Sequence, residues 1–132
     1  MPSLSGRIWV LMVDDNPEHV ELCKESLPVD EFEVDVAGTG TEAMCRLEAN
    51  AYDIVVLDYA LPDFTGLELL RRIKVRGFDV PIVFVSASND ADLSMKALRA
   101  GACDYIVKTF RYYNNLRSRL LENIDACSIR RR

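Results

Sequence analysis

The sequence predicts an α/β fold built on a doubly wound parallel sheet. Five apolar runs of strand length alternate with segments of helical period along the chain. Three of those runs, "WVLMV", "IVVL" and "IVFV", are apolar throughout, as strands covered on both faces must be. Gly77 and Gly101 each follow a helical pattern, where a left-handed C-cap belongs.

The elements follow in order. The first strand is predicted over Ile8–Val13 and runs into Asp14 and Asp15. Asp15 and Asn16 precede Pro17, as N-cap residues precede a proline at the first helical position. Val20, Cys23 and Leu27 then recur at helical spacing. The second strand, Glu33–Ala37, lies in "FEVDVA", where Phe32, Val34 and Val36 alternate with Glu33 and Asp35, so it is an edge strand. Thr39 and Glu42 form a capping box that opens the next helix. The third strand, Ile54–Asp58, ends on an acid, and Pro62 and Gly66 fit the loop that turns it into a helix carrying Leu69, Leu70 and Ile73. The fourth strand spans Ile82–Ser86 and precedes a helix with Leu93, Ala97 and Leu98. The fifth spans Tyr105–Lys108, and Leu116, Leu120 and Ile124 mark the last helix. Its end carries the run Arg130–Arg132, where cations complement the helix dipole.

An edge second strand with the first and third strands inside suits the order 2-1-3-4-5 reached through right-handed crossovers, a flavodoxin-like (βα)5 arrangement. In such a sheet, ligands bind beyond the carboxyl ends of the strands, where the order reverses between strands one and three.

Composition narrows the setting. A chain of 132 residues, 49% hydrophobic and 28% charged, suits one folded domain, expected over residues 1–132 with its core at about 7–127 and a basic end at 128–132. No apolar run reaches the roughly 18 residues of a membrane span, and the N-terminal stretch is too short and too quickly acidic for a signal peptide, so a cytoplasmic protein is expected. The net charge of -5 argues against nucleic acid as a direct ligand. Cys23, Cys45, Cys103 and Cys127 form no C-x-x-C pair and are expected to be small buried thiols rather than a zinc or redox site.

The strand ends bring chemistry to one edge. Asp14 and Asp15 follow strand one, Asp58 ends strand three, Ser86 ends strand four and Lys108 ends strand five. Each has an ordinary explanation alone, as a cap, a turn residue or a solvated end. Together they do not. Two like charges about 4 Å apart repel by roughly 4 kcal/mol at an effective dielectric near 20, so three carboxylates on adjacent strand ends call for a cation. An all-oxygen site with room for water suits Mg2+ better than zinc or copper. Such an ion neutralises phosphoryl oxygens during in-line attack, and a neighbouring carboxylate can serve as the nucleophile, giving an aspartyl phosphate.

With "VLMVDDN", "LDYALPDFTG", "VFVSAS" and "DYIVKTF" in this order and spacing, the chain resembles the receiver domain of two-component response regulators over essentially its whole length. The resemblance implies that Asp58 is phosphorylated by a histidine kinase or phosphotransfer protein. It implies that Asp15 ligates Mg2+ directly, with Asp14 acting largely through water and the Ala60 carbonyl as a further ligand. Ser86 would donate its hydroxyl to the phosphoryl group, Lys108 would pair with another of its oxygens, and Tyr105 would be the aromatic switch residue that turns inward as Ser86 is drawn in. The surface that changes would be the face of the fourth helix, fifth strand and fifth helix, around Met95, Tyr105 and Tyr113. That face would engage a downstream protein or output domain, or a second copy in a homodimer, with no membrane and no direct nucleic-acid contact. The small Ala60 and Ser88 flank the path of attacking water in the family. The implied protein is a switch rather than a turnover enzyme, though it takes part in its own phosphorylation and hydrolysis.

The chain departs from the family pattern at Lys108-Thr109, where Lys-Pro with a cis peptide is usual. A non-proline cis bond costs about 3–4 kcal/mol, so a trans peptide and a less well aimed Lys108 are expected. Leu61 replaces a frequent methionine, a volume-conserving change. His19 is expected to face solvent from the first helix, and Phe110 to pack ordinarily. Two alternatives stay open on sequence alone. One is a receiver-like interaction module that is not phosphorylated. The other is a dinucleotide-binding domain, suggested by the relaxed fingerprint Gly38, Gly40 and Ala43, although that motif belongs after a central strand.

Overall fold

Strands β1 (Ile8–Val13), β2 (Phe32–Ala37), β3 (Ile54–Asp58), β4 (Ile82–Ser86) and β5 (Asp104–Val107) pair in parallel in the order β2-β1-β3-β4-β5. A computed structural model describes residues 6–131, with side-chain surroundings through Cys127, so the basic side chains at 130–132 lie outside the described residues. Helices α1 (Pro17–Glu25), α2 (Gly40–Ala49), α3 (Gly66–Val75), α4 (Ala91–Arg99) and α5 (Leu116–Arg131) connect or follow the strands, and a short 3-10 turn at Tyr112–Asn115 leads into α5. Among the described residues, no helix is long and apolar enough to cross a membrane.

The period-2 alternation of each strand divides two core layers. Leu11, Val13, Val55, Leu57, Ile82 and Phe84 pack with α2, α3 and α4. Val10, Met12, Ile54, Val56, Val83, Val85 and Ile106 pack with α1 and α5. The same phase governs the strand ends. Asp14 continues Val10 and Met12, Asp58 continues Ile54 and Val56, and Lys108 continues Ile106, so all three lean toward the α1/α5 side. Ser86 continues Ile82 and Phe84 toward α4, and Tyr105 belongs to that same layer.

Local signals hold where the sequence marks them. Asn16 caps α1 by accepting the Glu18 and His19 N–H groups, with Pro17 at the first helical position. Gly77 and Gly101 adopt φ of +82° and +115°, closing α3 and α4 in the region other residues resist. In the edge strand, Asp35 accepts from Trp9 Nε1 at 3.0 Å and from the Tyr52 hydroxyl at 2.7 Å, so its polar face is used. Other expectations shift. β2 begins one residue earlier and β5 is shifted one residue earlier at both ends, with the Lys108 N–H closing the ladder on the Ser86 carbonyl at 2.8 Å. Leu27 is buried but lies past Ser26, which ends α1 with Pro28 close behind. Leu98 is 48% exposed because only Ala97 on α4 turns fully into the core. Of the four cysteines only Cys23 is buried, and Cys45 is exposed. An acid ties the last strand to the last helix: Asp104 receives two bonds from Arg119, at 2.8 and 2.6 Å, and one from Asn123 at 2.9 Å.

Candidate functional site

The ends of β1 and β3 stand side by side, with Val13 opposite Leu57 and Asp58 opposite Val85. Asp14 and Asp58 are each only 6% exposed, whereas Asp15 is open to solvent. One oxygen from each of Asp14, Asp15 and Asp58 can be chosen so that all lie within 4.8 Å of one another. Lys108 Nζ approaches Asp58 Oδ1 to 2.9 Å. Among the described residues no peptide bond is cis, so Lys108-Thr109 is trans, yet the expected loss of aim does not occur. Strand phase already turns Lys108 toward the layer of Asp58, and its flexible four-carbon stem spans the remainder.

The two buried carboxyls move in opposite directions. Burial pushes Asp58 above the usual carboxylate range, and the Lys108 ammonium offsets this only in part, with Asp14 adding a like charge. Burial also works against ionised Asp14, but bonds from His19 and from the Asn16 N–H, the latter at 2.9 Å, outweigh it and hold Asp14 below its ordinary value.

His19 is therefore not the solvent-facing residue expected. Its side chain is 16% exposed, with Nδ1 at 2.5 Å from Asp14 Oδ2 and Nε2 against the Tyr112 hydroxyl. A signal for this was present, because His19 stands four residues before Cys23 and so shares its inward face. Tyr112 is buried and accepts or donates to Cys23 Sγ at 3.4 Å, and burial pushes its phenol well up.

On the α4 side, Ser86 is buried and its Oγ accepts the Ser88 N–H at 3.1 Å. Tyr105 stacks on Phe84, with centroids 5.6 Å apart and planes 14° from parallel, and its hydroxyl donates to the Ser88 carbonyl at 2.8 Å. Ser86 and Tyr105 thus hold the same loop residue from two directions. Phe110 reverses its expectation: it is 88% exposed in the loop after β5, with the Arg111 guanidinium 5.0 Å from its ring, and Tyr105 is the aromatic that packs. Met95 and Leu98 are exposed on α4, and Tyr113 is half-buried edge-on to Tyr112.

The segment between β3 and α3 is clamped at both ends. Gly66 N–H donates to the Tyr59 carbonyl at 2.7 Å, and a Cβ on Gly66 would meet the Asp58 carbonyl oxygen at 2.3 Å. Ala60 is exposed two residues past Asp58, and Ser88 is half-buried in the loop after β4. Asp63 accepts the Gly40 and Thr41 N–H groups, each at 2.9 Å, and the Thr41 hydroxyl at 3.0 Å. That carboxylate, with the Phe64 ring lying over Gly40, occupies the helix N-terminus where a pyrophosphate would bind, which removes the dinucleotide alternative. Neither Asp63 nor Gly66 was legible as a contact, because their partners lie in other elements.

The response regulator receiver domain model matches residues 10–121. The chain is 38% identical over 103 residues to the transcriptional regulatory protein TrcR of Mycobacterium tuberculosis, covering 78% of this chain and 40% of that protein. It is 32% identical over 129 residues to the two-component response regulator ARR11 of Arabidopsis thaliana, covering 89% of this chain and 25% of that protein. The chain thus spans less than half the length of these relatives. Among solved structures, a response regulator from Thermotoga maritima superposes with a TM-score of 0.80 at 32% identity, covering 90% of this chain and 98% of that one. A CheY-like receiver domain from Methanospirillum hungatei superposes with a TM-score of 0.84 at 26% identity, covering 94% and 98%.

Proposed function

The chain belongs to the response regulator receiver domain family of two-component signalling, and from that membership we propose that Asp58 accepts a phosphoryl group from a histidine kinase or phosphotransfer protein. The observation that supports this most is the pairing of Asp58 with Lys108 at 2.9 Å inside a cluster of three carboxylates. An Asp58 oxygen attacks phosphorus in line, the bond from phosphorus to the donor's imidazole nitrogen breaks, and the electron pair leaves with that nitrogen.

The donor set is all oxygen, anionic and partly open at Asp15, which fits Mg2+. Asp15 would hold it directly, Asp14 largely through water, and Asp58 and the Ala60 carbonyl would complete the protein ligands. The ion, when bound, neutralises charge on the phosphoryl oxygens. The Lys108 ammonium favours the ionised form of Asp58 against the effect of burial, then pairs with a phosphoryl oxygen. Ser86 exchanges the Ser88 N–H for a bond that it donates to another oxygen. Release of Ser88 loosens the carbonyl that Tyr105 holds, so the state of Asp58 reaches the α4-β5-α5 face around Met95, Tyr105 and Tyr113.

On this reading residues 7–127 form one cytoplasmic receiver domain, a switch that assists its own phosphorylation and hydrolysis. Its output passes through that face to a downstream protein, an output domain or a second copy, without direct contact with nucleic acid or membrane. Incubation with acetyl phosphate and Mg2+, followed by intact mass and peptide mapping, tests it. One phosphoryl group on Asp58, absent from Asp58→Asn, is expected. No gain on the wild type, or an equal gain on the variant, would overturn the proposal and leave a phosphorylation-independent interaction module.

A further inference from the structure

We infer that His19 is a positioning residue for the acidic pocket, holding Asp14 in the orientation that receives a divalent ion and tying that carboxylate to Tyr112 at the entrance to α5. The inference rests on the reading of Asp14, Asp15 and Asp58 as an ion site.

The hydrogen bonds form one chain. The Asp14 carboxylate can only accept, so the His19 Nδ1–H donates to Oδ2 at 2.5 Å. Nε2 lies against the Tyr112 hydroxyl, which shares a hydrogen bond with it. The Tyr112 oxygen keeps a lone pair, and the Cys23 thiol, 3.4 Å away, can donate there. The series ends on the carboxylate. The other Asp14 oxygen accepts the Asn16 N–H at 2.9 Å. Each oxygen therefore has one protein donor and one lone pair left for an ion or its water, and the carboxylate cannot rotate without breaking both bonds.

The four residues come from three parts of the fold. Asp14 follows β1, His19 and Cys23 are on α1, and Tyr112 begins the turn into α5. Asp14 is thereby held by two elements besides its own strand. A histidine that merely filled space would set stability and leave ion affinity alone. One that orients a ligand sets affinity, because without it the carboxylate must be ordered when the ion arrives.

Mn2+ binding followed by electron paramagnetic resonance on the full chain, alongside thermal midpoints, tests this. His19→Ala is expected to weaken Mn2+ binding about tenfold. His19→Gln, whose amide can donate to Asp14 and accept from Tyr112, restores it to within about threefold of wild type. Tyr112→Phe keeps the ring but removes the anchor, and weakens binding about threefold, the low end of one hydrogen bond. Wild-type affinity in His19→Ala, or a glutamine variant as weak as the alanine one, overturns the inference. Should His19→Ala not fold, unchanged affinity in Tyr112→Phe does so. Absence of Mn2+ binding by the wild type instead removes the ion-site reading itself.

Discussion

Replacing Gly66 with alanine should push the phosphoacceptor away from its partners. The added Cβ would lie 2.3 Å from the Asp58 carbonyl oxygen, 2.8 Å from Tyr59 Cα and 2.9 Å from the Asp58 carbonyl carbon. All three are backbone atoms, so no rotamer change relieves the overlap. Unstrained carbon contacts need about 3.5 Å, so the start of α3 and the end of β3 must separate by about 1 Å. Overpacking of this kind costs about 1–3 kcal/mol, and stretching the 2.7 Å bond from Gly66 N–H to the Tyr59 carbonyl about 1 kcal/mol more. Alanine returns at most about 1 kcal/mol through helix propensity. The net loss of about 1–3 kcal/mol corresponds to a fall in thermal midpoint on the order of 10 °C. The functional loss is larger, since displacing a reacting carboxylate by about 1 Å costs about 100-fold in rate. Differential scanning fluorimetry and a time course of acetyl phosphate labelling read by intact mass give both numbers. A variant with wild-type midpoint and wild-type labelling rate would refute the close-approach account.

Two further outcomes follow from the charges. Lys108→Met keeps the stem and removes the ammonium from beside Asp58, and should cost about 1–3 kcal/mol at neutral pH. The Asp58 carboxyl, already raised by burial, rises further, so the deficit must grow as pH climbs from 4 to 7, and urea melts showing a constant deficit would contradict this. Asp63, drawn down to about 2 by N–H donors that outweigh its desolvation, contributes stability present above 3.8 and lost as pH falls through about 2. Asp63→Asn should therefore melt below wild type at neutral pH and converge with it in acid, and a gap independent of pH across 2 to 6 would count against the cap.

The architecture of the sheet is legible in the chain's own residue pattern. Apolar runs without alternation can only be central, "FEVDVA" with its alternating acids can only be an edge, and period-2 phase then carries Asp14, Asp58 and Lys108 to one side and Ser86 and Tyr105 to the other. Contacts between elements are set by packing instead. His19 faces inward because of how α1 rotates onto β1 and how the turn at Tyr112 closes over it, although the spacing to Cys23 hinted at the face. Asp63 reaches the start of α2 across 22 and 23 residues, and Gly66 touches the strand it follows. Phe110 is left in solvent while Tyr105 packs, reversing the expected order. Periodicity is a property of one element and is written in its own residues. The distance and rotation between two elements come from the packing of every side chain between them, and no local stretch encodes that sum.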